Sequence, residues 1–194
     1  MTRLDLVVGP NGAGKSTFVR YTLSPTIPWS VFVNADEIAR QRWPDAPEAH
    51  SYDAARIAAD TRNALIAAGL PLIAETVFSH PGKLDLVRTA IAAGFGVHIH
   101  ALLVPPDLSV ARVARRVAAG GHDVPEDKIR ERSARLWPLV ADAILLATSA
   151  TVYDSSQLDG PRPVALFAGG LPIGAPTWPA WAPPALTSRW PAAG

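Results

Sequence analysis

The sequence predicts an α/β domain of three layers, α/β/α, with a mainly parallel sheet and a helical arginine-rich lid at about residues 110–136. Three observations carry this. Short apolar runs alternate with stretches of helical apolar periodicity through the first 106 residues, the pattern of strands joined by crossover helices. A glycine-rich octet follows the first run. Arginines at helical spacing then flank a Gly-Gly turn.

The elements follow in order. "RLDLVVG" (3–9) is a buried-strand pattern, and "GKSTFVRYTL" (14–23) reads as a helix. "WSVFVNAD" (29–36) is a second short strand. In 51–70, Ala54, Ile57, Ala58, Leu65 and Ile66 recur at helical spacing and Gly69 ends the helix. "LPLIAETVFS" is a third strand with Glu75 near its end. "KLDLVRTAIAAGFG" is a helix stopped by Gly94, and "VHIHALLVPP" is a fourth strand. Residues 111–136 read as two short helices around Gly120 and Gly121. A separate helix through "ADAILLA" and a last core strand near "ATVYDSS" follow, with Pro138 expected to kink or end the helix before them. The kinase-type domain is thus expected over 1–160. The tail, 161–194, holds eight of nineteen prolines and three of six tryptophans. Its composition argues against regular structure. Its tryptophans argue for packing on the domain, with a partly disordered or partner-binding segment as the alternative.

"GPNGAGKS" (9–16) fits G-x-x-x-x-G-K-[ST] in full. A glycine turn after a strand points successive N–H groups inward, and the following helix start adds its dipole. The pattern arises by chance in roughly one chain of this length in a hundred or fewer. Gly9, Pro10, Asn11, Gly12, Ala13, Gly14, Lys15, Ser16 and Thr17 are therefore the expected ATP-binding residues, with Lys15 on the β- and γ-phosphates and the Ser16 hydroxyl on Mg²⁺.

Ligands of parallel sheets sit outside the carboxyl ends of the strands. "NAD" and "ET" fall there beside the phosphate loop. Asp36 is the candidate base for an acceptor hydroxyl, and Asn34, Asp36, Glu75 and Thr76 the candidates for holding the acceptor. Glu75 orienting Mg²⁺ through water is the alternative. Asn34 and Glu37 have capping-box spacing, so Asn34 caps the next helix and leaves Asp36 at its second position. Arg112 and Arg116 share one helix face, and Lys128, Arg132 and Arg135 another. Two cationic faces around a glycine turn suit a lid over a transferring phosphoryl group. The plainer reading pairs them with Asp123, Glu126, Asp127 and Glu131. Asp123 and Glu126 resemble a capping box, with Pro125 in the first turn, and His122 reads as a hinge residue. His98 and His100 share a strand face and read as packed rather than metal-bound; His50 and His80 carry no signal.

Composition removes other classes. There are no cysteines, so disulfides and thiolate metal sites are excluded. A net charge of +1 gives no electrostatic case for nucleic acid or an anionic membrane. No uncharged apolar stretch reaches about 18 residues, so a cytoplasmic protein is expected.

"GPNGAGKSTF", "NADEIA", "ETVFS", "GGHDVPEDKI" with flanking arginines, and "YDSS" together resemble the zeta-toxin-like kinase family, over about residues 4–156. The resemblance implies a P-loop kinase-like fold, ATP with Mg²⁺, and phosphorylation of a hydroxyl on a nucleotide sugar such as UDP-N-acetylglucosamine. It places the base at Asp36, the phosphate-loop lysine at Lys15 and the catalytic lid arginines at Arg116 and Arg132. It also adds an antitoxin protein to the candidate partners of a small-molecule acceptor. The open alternatives are a nucleotide- or nucleoside-type kinase and a P-loop ATPase switch. A Walker-B run of four apolar residues ending in aspartate is not evident for the latter.

Overall fold

The sheet has the order β2-β3-β1-β4-β5-β6-β7. The computed structural model describes residues 2–119 and 124–192. β1 (Arg3–Val8), β2 (Val31–Val33), β3 (Leu72–Thr76), β4 (Gly96–Leu103) and β5 (Ser149–Asp154) run parallel. β6 (Arg162–Ala168) and β7 (Leu171–Pro172) add antiparallel strands. The apolar runs form strands because the central ones are covered: Leu4, Leu6, Leu72, Val97 and Leu103 are fully buried. Each such side chain contributes about 1.5–3 kcal/mol over leaving it in water.

One face packs on α4 (Ser51–Ala67), α5 (Gly82–Ala92), α7 (Glu126–Leu146) and α8 (Pro184–Thr187), whose inward residues include Ile66, Val87, Leu136 and Leu186. The other face packs on the helical run after the phosphate loop, through Phe18, Val19, Leu23 and Ile27 against Val7, Ile73 and Leu102. That run is α1 (Lys15–Phe18), a π-helical turn (Val19–Leu23) and a final α-turn, α2 (Ser24–Thr26). α3 (Ala35–Arg42) leads from β2 toward α4, and α6 (Pro106–Ala118) follows β4. This is the three-layer, mostly parallel P-loop kinase-like fold. Among the described residues, no helix is long and apolar enough to cross a membrane.

Two expectations fail in the carboxyl-terminal half. Pro138 neither ends nor splits a helix: α7 runs unbroken for 21 residues and absorbs the "ADAILLA" segment. The proline leaves the Ala134 carbonyl without its helical donor, a loss of about 3 kcal/mol. Both residues lie on the solvent side. Leu136, Trp137, Val140, Ala141 and Ile144 are all buried on the opposite side, and their combined burial outweighs that loss. The Gly120–Gly121 turn, His122 and the Asp123 cap lie outside the described residues. α7 starts at Glu126, with Pro125 as its cap position instead of in its first turn.

The proline-rich tail is also regular. Pro163 lies beside a bulge of β6, where Val164 is the extra residue between Ala165 opposite Val152 and Pro163 opposite Tyr153, and Pro172 lies in the edge strand β7. Leu186 and Trp190 complete the main core, and the Trp190 ring meets Phe167 at 4.7 Å between centroids. Trp178 Nε1 donates to the Trp190 carbonyl at 2.7 Å, and Arg189 pairs with Asp142.

Candidate active site at the phosphate loop

The octet leaves β1 and enters α1 through three glycines of positive φ: Gly9 (153°), Gly12 (74°) and Gly14 (85°). Two are also required by space. A Cβ on Gly9 would lie 2.7 Å from the Leu102 carbonyl oxygen, and one on Gly12 would lie 2.7 Å from that of Ser109. The loop is thus pressed against β4 and α6, with the first amides of α1 lacking intrahelical acceptors.

Its carbonyls are tied down from behind. Ser109 Oγ donates to the Asn11 carbonyl, and Ser155 Oγ to that of Ala13 at 2.8 Å. Arg112 reaches the carbonyls of Gly12 (3.4 Å), Ser155 (2.8 Å) and Ser156 (3.1 Å). Ser109 and Ser155 were not legible as site residues, because side chain to carbonyl contacts leave no spacing pattern, and Arg112, read as a lid cation beside Arg116, instead braces the loop. Lys15 is buried, and its Nζ donates to the carbonyls of Gly9 (3.0 Å) and Pro10 (2.9 Å). Burial pushes its pKa down and Arg116 adds to that, against the opposing pull of Glu75 and Asp36.

Glu75, at the end of β3, accepts from Ser16 Oγ on both carboxylate oxygens, at 3.0 and 2.9 Å. Asn34 Nδ2 donates to it at 2.6 Å. Burial raises the Glu75 pKa, with Asp36 adding and Lys15, Ser16 and Asn34 opposing. The apolar run Leu72, Ile73, Ala74 therefore ends in an acidic residue hydrogen-bonded to the phosphate-loop hydroxyl, the position that a search for a terminal aspartate overlooks.

Asn34 uses both ends of its amide. Its Oδ1 caps α3 by accepting from the amides of Asp36 (2.7 Å) and Glu37 (3.2 Å), as the capping-box spacing predicts. Asp36 is the second residue of α3 and is exposed. Its electrostatic influence on both Lys15 and Glu75 places it at the same crevice. Thr76 lies on the opposite sheet face from Glu75 by strand alternation and accepts from the Phe78 amide at 3.4 Å.

In the arginine-rich segment, the plainer reading holds for some cations. Arg130 bridges Glu126 and Asp107 at 2.8 Å each, while Lys128 and Arg135 pair with Glu131. Arg116 acts electrostatically on Lys15, and Arg132 is half-buried on α7. The strand histidines are internal pairs: His98 Nδ1 meets Ser149 Oγ at 2.8 Å, and His100 Nε2 meets Asp5 Oδ1 at 2.9 Å.

The profile of the AAA domain family matches residues 4–139, from β1 into α7. The chain belongs to the AAA domain family. This AAA domain is 29% identical over 125 residues to an uncharacterized protein of Haemophilus influenzae, covering 64% of this chain and 87% of that one. Among solved structures, it resembles the AvrRxo1-ORF1:-ORF2 complex with ATP, with a TM-score of 0.69 at 14% identity. The match takes in 89% of this chain but only 60% of that one. It also resembles the PezAT chromosomal toxin-antitoxin system of Streptococcus pneumoniae, with a TM-score of 0.60 at 15% identity over 79% of this chain and 68% of that one.

Proposed function

We propose that this AAA domain is an ATP-dependent kinase that phosphorylates a hydroxyl of a small molecule. The observation that carries the reading is the meeting of a braced phosphate loop with two carboxylates of different surroundings: half-buried Glu75 on Ser16, and exposed Asp36 one helix cap away. The glycine turn at Gly9, Gly12 and Gly14 fits a polyphosphate, because its positive-φ backbone and the start of α1 present successive amides to an anion. Lys15 exchanges its two loop carbonyls for phosphate oxygens when ATP enters.

Ser16 and Glu75 are the residues that would hold Mg²⁺, which when bound neutralises charge on the β- and γ-phosphates. Glu75 belongs on the metal side because its oxygens already converge on the Ser16 hydroxyl. Asn34 positions both carboxylates at once, since one amide caps the helix of Asp36 and grips Glu75. Asp36 accepts the proton as the acceptor O–H bond breaks and its oxygen bonds to the γ-phosphorus. The bond from the γ-phosphorus to the bridging oxygen breaks, and ADP leaves. Arg116 and Arg132 supply positive charge from the lid side, and Thr76 is the further candidate for holding the acceptor.

The zeta-toxin-like resemblance makes a nucleotide sugar the first acceptor class to try. The two similar structures are each described with a second protein component, so an antitoxin-type partner belongs to the same proposal. The test is to incubate protein, Mg²⁺ and γ-labelled ATP with nucleotide sugars, nucleosides and dinucleotides, and follow the label. Asp36→Asn is expected to lower transfer by about 10² to 10⁴ with ATP binding nearly unchanged. Full transfer by that variant would remove Asp36 from the role of base.

A further inference from the structure

We propose that Arg62 and Lys83 form a receptor for an oxyanion, phosphate or carboxylate, carried by the acceptor, in the crevice between α4 and α5 beneath the loop after β3. The anion site rests on the geometry of these two helices. Only its assignment to the acceptor rests on the kinase reading.

α4 turns Ala54, Ala58, Arg62 and Ile66 inward. Three are apolar, and the fourth is a guanidinium with five donors, in a residue only 7% exposed. Arg62 makes no hydrogen bond or ion pair with any described residue, in contrast to the other internal charges. Asp5 has Arg3 and His100, and Lys15 has two carbonyls. Lys83, in the first turn of α5, is half-buried and also makes no such bond with a described residue. Burial lowers both pKa values, and the positive charge of Arg62 lowers that of Lys83 further. Two adjacent unpaired cations are costly in a folded protein.

Their direction points to the site. Helical side chains lean toward the helix amino terminus. α4 and α5 are the crossovers that leave β2 and β3 and return to parallel strands. Both therefore run against the sheet, and both cations lean toward its carboxyl edge. Thr76 faces the same side. The loop above is held by Phe78, whose fully buried ring accompanies a positive φ of 61°, a conformation costly for an aromatic residue. A guanidinium fork with an ammonium beside it matches an oxyanion with at least two free oxygens.

The experiment saturates the full chain with Mg²⁺ and a non-hydrolysable ATP analogue, so that the phosphate loop is filled. Inorganic phosphate and, separately, succinate are then titrated by calorimetry. We expect one of them to bind, about 10- to 100-fold more weakly to Arg62→Met and Lys83→Met. The preferred anion identifies which oxyanion the crevice takes. Without anion, both variants should be at least as stable to urea as the parent, because an unpaired charge has gone. No binding of either anion, or equal binding by parent and both variants, overturns the proposal. Anion binding that depends on Arg62, with no transfer to any acceptor, would sink the kinase reading and leave the anion site standing. Turnover of an uncharged acceptor with the same KM in all three proteins would overturn the assignment of the anion to the acceptor and leave the kinase reading standing.

Discussion

Replacing Gly12 by alanine tests whether the phosphate loop is held by its packing on α6. Two terms oppose the substitution. At φ 74° a Cβ costs about 1–2 kcal/mol in backbone conformation alone. The same Cβ would lie 2.7 Å from the Ser109 carbonyl oxygen and 3.2 Å from Arg112 Cβ, contacts that force loop and helix apart at about 1–3 kcal/mol. Gly94 is the matched control. It follows α5 at φ 79°, with nothing within 4 Å of its ideal Cβ. Gly94→Ala should therefore lose about 1–2 kcal/mol and Gly12→Ala about 2–5, both from urea unfolding of the full chain. The displacement should also strain the bonds from Ser109 to the Asn11 carbonyl and from Arg112 to that of Gly12, so affinity for an ATP analogue falls by about tenfold or more. Equal stability losses for the two variants, with analogue affinity intact in Gly12→Ala, would show that the loop does not depend on α6.

Three further outcomes follow from the same coordinates. Trp190→Ala should lose about 3–5 kcal/mol in urea unfolding, since the ring is 7% exposed and closes the core against Phe167; a loss below about 1 kcal/mol would mean that the tail lies outside the cooperative unit. Ser155→Ala should lose about 1–3 kcal/mol by leaving the Ala13 carbonyl unpaired, and an unchanged urea midpoint would remove Ser155 as a brace. Asp5 is raised by burial, but hydrogen bonds from His100 and Arg3 outweigh that and hold its pKa below the usual value. Its contribution is therefore present above the unfolded carboxylate value and fades as pH falls through the folded one. Asp5→Asn should flatten the acid limb of urea midpoint against pH, and an unchanged limb would place acid sensitivity elsewhere.

The sheet and the phosphate loop were legible because their determinants are local. Apolar runs, helix stops at Gly69 and Gly94, and the Asn34 cap each act within a few residues. Pro138 misled because its helix is decided by what Leu136, Trp137 and Val140 bury on the far side, which no local rule contains. The tail misled for a similar reason: Pro163 sits beside a bulge at Val164 that only the pairing of β6 with distant β5 reveals. Within the site, Lys15, Ser16 and Asp36 were visible as motif positions. Ser109 and Ser155 were not, and Arg112 was visible only as a lid cation, since each acts on a carbonyl about a hundred residues or more away. Arg62 stood in plain view, on the same stripe as Ala54, Ala58 and Ile66. A charge at an inward helical position is the signal to follow there.

The two sides of the crevice differ in how their polar groups are satisfied. On the phosphate-loop side, each internal charge has a partner before any ligand arrives: Lys15 on loop carbonyls, and Glu75 on Ser16 and Asn34. A ligand there must displace protein contacts, and it gains only the difference between old and new bonds. On the side of α4 and α5, Arg62 and Lys83 have no partner among the described residues, so an anion there displaces no protein contact. That asymmetry bears on specificity under the proposed reading. An acceptor lacking the anion leaves Arg62 and half-buried Lys83 without a counter-charge, a larger penalty than one missing apolar contact. Discrimination among hydroxyl compounds would then be set by the charge they carry, at a distance from the hydroxyl that reacts.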